Sequence, residues 1–152
     1  MKYTTTVDIH KPRTEVIEKL DNAENMKHWQ RGLQEYHFIK GTPGTEGAQM
    51  ELRYKMGKRD MTMIETILKR DFPTEFHATY DAKGVHNIQK NYFEEIDPQT
   101  TRWRSESEFQ FQGFGMKLIG FLMPGAFKKQ SQKYLNDFKN FVEHGTSVEN
   151  QS

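Results

Sequence analysis

Among the ionisable side chains of this chain, Glu65 falls where an acid or base would be of use. Segments 49–56 and 61–70 both alternate apolar and polar residues. Folding them back on a turn at 57–60 sets Met56 against Met61, Tyr54 against Met63, Leu52 against Glu65 and Met50 against Ile67. Seven of these eight side chains are apolar or aromatic, and the eighth is a carboxylate. A four-residue loop at 71–74 then brings Tyr80 opposite Glu65 and Ala78 opposite Ile67. A phenol beside a carboxyl in an apolar hollow is a pair that general acid–base chemistry can use. Desolvation in such a place raises the carboxyl pKa. The same two groups would serve as the polar anchor of a bound molecule. A Glu near an open end, or turned outward by a bulge, would simply meet water.

Other chemistries find little support. There is no Cys, which excludes disulfides, thiolate catalysis and Cys-based metal sites. The six His are scattered, and the hairpin register sets His77 against Lys90 and His86 against Asp81 on the outer face, so neither a metal nor another cofactor is expected. No Ser lies in a nucleophile elbow, and no phosphate-cradling glycine loop occurs. Gly113-Phe114-Gly115 reads as a strand-to-helix hinge. Lys and Arg number 22 against 21 Asp and Glu, and the basic pairs Lys58-Arg59 and Lys128-Lys129 are short, so nucleic acid is not an expected partner. The most apolar run, 118–124, is far below the roughly 20 residues of a membrane span. With no apolar leader at the start, the expectation is a soluble cytoplasmic protein. Nothing indicates a homodimer.

The elements that must position Glu65 and Tyr80 follow from periodicity. Tyr3, Thr5, Val7 and Ile9 share one face of a first strand. Pro12 suits a first helical turn, and Val16, Ile17 and Leu20 mark a short helix. Met26, Trp29 and Leu33 mark a second, over 24–33. Strands are expected at 34–40, 49–56, 61–70, 75–81, 85–96 and 101–112, separated by turn chemistry at Gly41, Pro43-Gly44, Gly47, Asp71-Phe72-Pro73, Lys83-Gly84 and Asp97-Pro98. The region 113–145 reads as a long amphipathic helix of about 28 residues, roughly 42 Å. Its stripe is Phe127, Ser131, Tyr134, Leu135, Phe138, Phe141 and Val142. Pro124 either bends this helix or begins its main part. One long stripe must be buried, and an antiparallel sheet is the partner this chain offers. At 34% hydrophobic residues and a mean hydropathy of −0.91, the chain suits a sheet with one wet face. Residues 1–145 are expected as a single domain, and 146–152 as a frayed polar tail.

The Lys83-Gly84 turn sets Asn87 against Tyr80, Gln89 against Ala78 and Asn91 against Phe76, so Asn87, Gln89, Asn91 and Phe93 line the inner face. On the last strand Trp103, Ser105, Ser107, Phe109 and Phe111 share a face, opposite Arg102, Arg104, Glu106 and Glu108. A four-residue loop at 97–100 would place Trp103 against Glu94, and the parity fails to close. An odd-length turn resolves this and is the reading adopted; a bulge, or Ile88 and Tyr92 facing inward, would also do so. With the odd turn, Gln89, Asn91, Ser105 and Ser107 form a polar strip in an otherwise apolar chamber. Those groups need partners: one another, water or a ligand. Met116, Ile119, Met123 and Phe127 would supply the helix wall. Met50, Met56, Met61, Met63 and Met123 would give the chamber an adaptable lining, although a Met cluster is also ordinary core. Trp29 reads as a packing anchor.

Several of these residues, in this order, resemble the START-like helix-grip superfamily (SRPBCC, Bet v 1-like), specifically its polyketide cyclase/dehydrase and lipid-transport group. The resemblance runs from Tyr3 to about Glu143. It rests on Leu20-Asp21-Asn22 leading to Trp29 and Leu33, then Gly41, Pro43-Gly44 and Gly47 before the Met50 strand. It continues with Asp71-Phe72-Pro73, Thr101-Arg102 after an acidic turn, and Asp137-Phe138-Lys139-Asn140-Phe141 near the end of the last helix. It implies an α+β fold: a curved seven-stranded antiparallel sheet around a long C-terminal helix, with two short helices between strands 1 and 2. It also implies a cavity for a hydrophobic or amphipathic small molecule. The expected lining is Tyr54, Met56, Met61, Met63, Glu65, Tyr80, Gln89, Asn91, Phe93, Trp103, Ser105, Ser107, Phe109, Met116, Ile119, Met123 and Phe127. Binding or transport of such a molecule is the leading expectation. Cyclisation or dehydration of a polyketide-like substrate by Glu65 and Tyr80 is the alternative. A partner-binding module ranks last, because the outer sheet residues are mostly charged.

Overall fold

Seven strands form one antiparallel sheet in the computed structural model, which describes residues 1–115 and 123–151. In chain order they are β1 (Lys2–Ile9), β2 (Leu33–Lys40), β3 (Gln49–Met56), β4 (Arg59–Asp71), β5 (Glu75–Ala82), β6 (Val85–Asp97) and β7 (Thr100–Phe111). Helix α1 (Arg13–Leu20), a 3-10 turn (Ala23–Asn25) and the single-turn α2 (Met26–Trp29) lie between β1 and β2. The last element, α3 (Pro124–His144), has 21 residues. The sheet order is β1-β7-β6-β5-β4-β3-β2, so β7 returns beside β1 and the two early strands are the edges. No described helix is long and apolar enough to cross a membrane.

Proline opens α3: Pro124 occupies its first turn, where the missing N–H goes unneeded. The main helix is therefore about 31 Å long, shorter than the 42 Å expected, and Met116 and Ile119 lie outside the described residues. Gly145, with φ +69°, ends the helix in the left-handed conformation that suits glycine. The expected second helix over 24–33 shortens to the 3-10 turn and α2. Gly32 takes φ +81°, and a Cβ there would lie 2.5 Å from the Lys55 carbonyl oxygen, so the chain must turn into β2 at that point.

Three registers differ from the sequence arithmetic, and in each the inward faces survive. The β3–β4 turn is Gly57-Lys58 rather than four residues, which pairs Met56 with Arg59, Tyr54 with Met61, Leu52 with Met63 and Met50 with Glu65. The slip is two residues, so the pleat is preserved. Between β4 and β5 the loop is one residue shorter than expected, since Asp71 pairs with Glu75; an irregularity at Leu68 compensates, and Glu65 faces Tyr80 as the sequence predicts. Between β6 and β7 the parity is closed by a bulge at Ile96, not by an odd turn: Asp97 pairs with Thr100, Glu95 with Thr101 and Phe93 with Trp103.

The core is packed hardest at one end. Val7 and Ile9 of β1, Val16, Trp29, Phe93, Trp103, and Leu135, Phe138 and Val142 of α3 form one buried cluster. Phe138 sits edge-on to both Trp29 and Trp103, at 5.0 and 5.2 Å between ring centroids. Such aromatic contacts add about 0.5–1.5 kcal/mol each to the area they bury. Asp137, buried on the same helix, takes a two-pronged ion pair from Arg31 at 2.7 and 3.2 Å. This ties α3 to the turn after α2.

Residues 146–151 do not fray as expected. The Val148 N–H donates to the His28 carbonyl at 2.9 Å, the Gly32 N–H donates to the Gln151 carbonyl at 2.7 Å, and Val148 is buried. The turn around α2 leaves backbone groups without sheet or helix partners, and this segment satisfies them.

Candidate functional site

Register places Glu65 and Tyr80 at the middle of the concave face. A row of directly opposed residues runs across five strands: Met50, Glu65, Tyr80, Asn87 and Phe109. One step along the strands the row is Ile67, Ala78, Gln89, Ser107 and Tyr3. The next is Phe76, Asn91, Ser105 and Thr5. Neighbouring strands are about 4.8 Å apart, so the first row spans roughly 19 Å.

The Tyr80 hydroxyl donates to Glu65 Oε2 at 2.8 Å. Both residues face inward and are enclosed by protein, yet each keeps part of its surface within reach of water. Burial pushes the Glu65 carboxyl above its ordinary pKa, and the Tyr80 hydrogen bond draws it partly back. Burial, then the Glu65 charge, pushes the Tyr80 phenol well above its ordinary value. Burial does the same to Tyr54, reinforced by Tyr134 of α3 and by Glu65. These four groups are therefore electrostatic neighbours, three on the sheet and one on the helix above it.

Around this pair the expected residues fall into separate groups. Tyr54 is buried with Met26, Met50 and Leu52, while Met56, Met61, Met63 and Tyr80 pack against that cluster and stay half-buried. Gln89 Nε2 donates to Asn87 Oδ1 at 2.9 Å, and Asn87 Nδ2 donates to the Glu108 carbonyl at 3.1 Å. Asn91 accepts from the Trp103 indole at 2.9 Å, and Phe93 stacks on Trp103 at 5.7 Å. Asn91, Phe93 and Trp103 thus belong to the solid end, away from the half-buried residues. Ser105 and Ser107 are buried between the two regions. Phe109 and Phe127 meet at 5.1 Å, joined by Phe111 at 5.5 Å from Phe127, where β7 faces the start of α3. Met123 is largely exposed beside them. Met116 and Ile119 fall outside the described residues.

Tyr134 and Ser131 were absent from the expected lining, although the helical stripe carries both toward the sheet. Ser131 shares a 2.6 Å hydrogen bond with the Tyr3 hydroxyl, which joins α3 to β1. Two polar atoms near this interior are buried without a partner, Thr5 Oγ1 and Trp29 Nε1. No group of three acidic or His side chains among the described residues could hold a metal ion. A separate depression of about 440 Å³ lies over Thr6, Asp8, Glu94, Arg102 and Arg104. Its charges pair among themselves, Arg102 with Asp8 at 2.8 Å and Arg104 with Glu94 at 3.5 Å, and it has no connection with Glu65.

A curved antiparallel sheet gripping one long helix, with two short helices after its first strand, is the helix-grip architecture of START-like proteins. The chain belongs to the polyketide cyclase / dehydrase and lipid transport family, whose model matches residues 1–143. Solved structures share the fold at low identity. A conserved protein from Geobacillus kaustophilus is 12% identical, with a TM-score of 0.78 over 96% of this chain and 97% of that one. A START superfamily protein from Mycobacterium smegmatis is 9% identical, with a TM-score of 0.76 over 95% and 99%. The ZhuI aromatase/cyclase from Streptomyces sp. R1128 is 12% identical, with a TM-score of 0.69 over 97% and 99%. No curated protein matches the chain in sequence.

Proposed function

We propose that the chain binds a hydrophobic or amphipathic small molecule between the sheet and α3, as a carrier or receptor. The observation that carries this reading is the hydrogen-bonded Glu65–Tyr80 pair, inward-facing and still reachable by water, beside the half-buried Met56, Met61 and Met63. Thioether side chains adapt to a ligand's shape, and the polar pair orients it. Burying about 200 Å² of apolar ligand at ~25 cal/mol per Å² supplies roughly 5 kcal/mol before the cost of immobilisation. Family membership fits a binding role and is equally consistent with catalysis. Native mass spectrometry of freshly isolated protein tests the reading. A co-purifying small molecule, or uptake of the apolar fluorophore N-phenyl-1-naphthylamine, is the expected result. A bare chain that takes up no fluorophore would remove it.

The 2.8 Å contact between Tyr80 and Glu65 also favours a second reading, in which the pair acts as acid and base on a polyketide-like substrate. Once a substrate is in hand, undiminished turnover by Glu65→Gln would exclude Glu65 as the base.

A further inference from the structure

The groups around Glu65 direct their hydrogens away from its second carboxyl oxygen. A phenol carries one hydrogen, and the two sheet tyrosines that neighbour Glu65 direct theirs to protein acceptors: Tyr80 to Glu65 Oε2 at 2.8 Å, Tyr54 to Gln30 Oε1 at 2.5 Å. Each phenol oxygen keeps its accepting capacity. Gln89 donates through Nε2 to Asn87, which leaves its carbonyl oxygen as an acceptor. Glu65 Oε1 accepts no hydrogen bond among the described residues. Neutral donors remain nearby, among them the second Gln89 N–H and the Tyr134 hydroxyl, but the one carboxyl at the centre of this face, Glu65, is an acceptor.

Cationic side chains do not offset this carboxyl. Two basic residues on the strands share the concave parity. Arg59 stands at the exposed β3–β4 turn. Arg70 is held by Asp21 at 2.8 Å through Nη1. Among the described residues, none of the influences on Glu65 is a cation; they are burial and Tyr80. An entering carboxylate would meet lone pairs and a second carboxyl, with no positive charge among the described residues to balance it. An ammonium or hydroxyl group would find acceptors already oriented.

From this arrangement we infer that the chamber selects molecules whose polar end donates hydrogen bonds, an amine first and an alcohol or phenol next, and excludes carboxylates. The inference rests on the chamber reading above and adds the chemical class of ligand. Net charge gives it no help: the chain stands at +1, which favours anions slightly.

A matched series decides it: decylamine, decanol and decanoate at pH 7, each titrated against protein carrying N-phenyl-1-naphthylamine, with fluorescence loss as the readout. Decylamine should displace the fluorophore at least tenfold more tightly than decanoate, with decanol between. Glu65→Gln should weaken decylamine about tenfold and leave decanol within threefold. Decanoate binding as tightly as decylamine, or an amine preference unchanged in Glu65→Gln, overturns the inference while the chamber stands. Failure of the fluorophore and all three decyl compounds to bind overturns both readings. Should Glu65→Gln not fold, the order measured on the unmodified protein is decisive by itself.

Discussion

Replacing Tyr80 with phenylalanine should destabilise the protein by an amount that grows with pH. Tyr80 is the one donor to Glu65 among the described residues. Below about pH 4 the carboxyl is protonated in folded and unfolded chains alike, and the substitution removes a neutral hydrogen bond worth about 1 kcal/mol. Burial raises the Glu65 pKa in the folded state, so ionisation there begins at higher pH than in the unfolded chain. Once the folded carboxyl is charged, the missing bond is charge-assisted and costs about 1.5–3 kcal/mol. The penalty of Tyr80→Phe should therefore rise by roughly 1 kcal/mol or more between pH 4 and pH 9. The unmodified protein carries the related signature. Glu65 favours the folded state fully below its unfolded pKa, and that contribution is lost as pH climbs through the raised folded pKa. Glu65→Gln cannot ionise, so its stability relative to the parent should improve over the same window. Urea unfolding at pH 4, 7 and 9, followed by the fluorescence of Trp29 and Trp103, measures all of this for both single variants and the double. Equal penalties at the three pH values, or a double-mutant coupling below about 0.3 kcal/mol, would show that the two groups do not act as a buried pair.

Phe138→Ala should cost about 3–5 kcal/mol in the same urea assay, because Phe138 is fully buried between two indole rings; a loss below 1 kcal/mol would mean that α3 does not clamp the solid end. Gly32→Ala should destabilise by at least about 1–3 kcal/mol, since it meets both a left-handed backbone and a carbonyl 2.5 Å from the new Cβ. A thermal midpoint unchanged from the parent would refute that. The Val148 amide, bonded to His28, should exchange with deuterium far more slowly than the Gln99 amide, which donates to the Asp97 carboxylate at the exposed β6–β7 turn. Equal rates would show the 146–151 segment undocked.

Pleat parity was the legible part of this sequence. A β-strand alternates strictly, so any slip by an even number leaves the same side chains inward, as at Gly57-Lys58. Glu65 and Tyr80 came together in the arithmetic because a shorter loop and the Leu68 irregularity cancel. The β6–β7 parity conflict announced an irregularity without saying which kind, since a bulge and an odd turn shift alternation equally. Periodicity also could not divide the interior. Phe93 and Tyr54 share faces with Gln89 and Met63, and only helix packing decides that Phe93 lies in the solid end while Met63 stays reachable. The docked segment 146–151 carries no apolar repeat at all. Its order comes from backbone groups around α2 that no local pattern reveals.

The bulge at Ile96 makes that position dispensable in length. Its neighbours already pair as Glu95 with Thr101 and Asp97 with Thr100, and Ile96 itself is exposed. Excising this one residue would join two ladder steps into a regular hairpin and leave Asn87 through Phe93 oriented as they are. Excising a residue within Asn87–Phe93, with the bulge kept at Ile96, would invert everything upstream of the cut relative to β7. Variation in chain length among related sequences should therefore collect at this corner of the sheet, where a missing residue goes unfelt by the chamber.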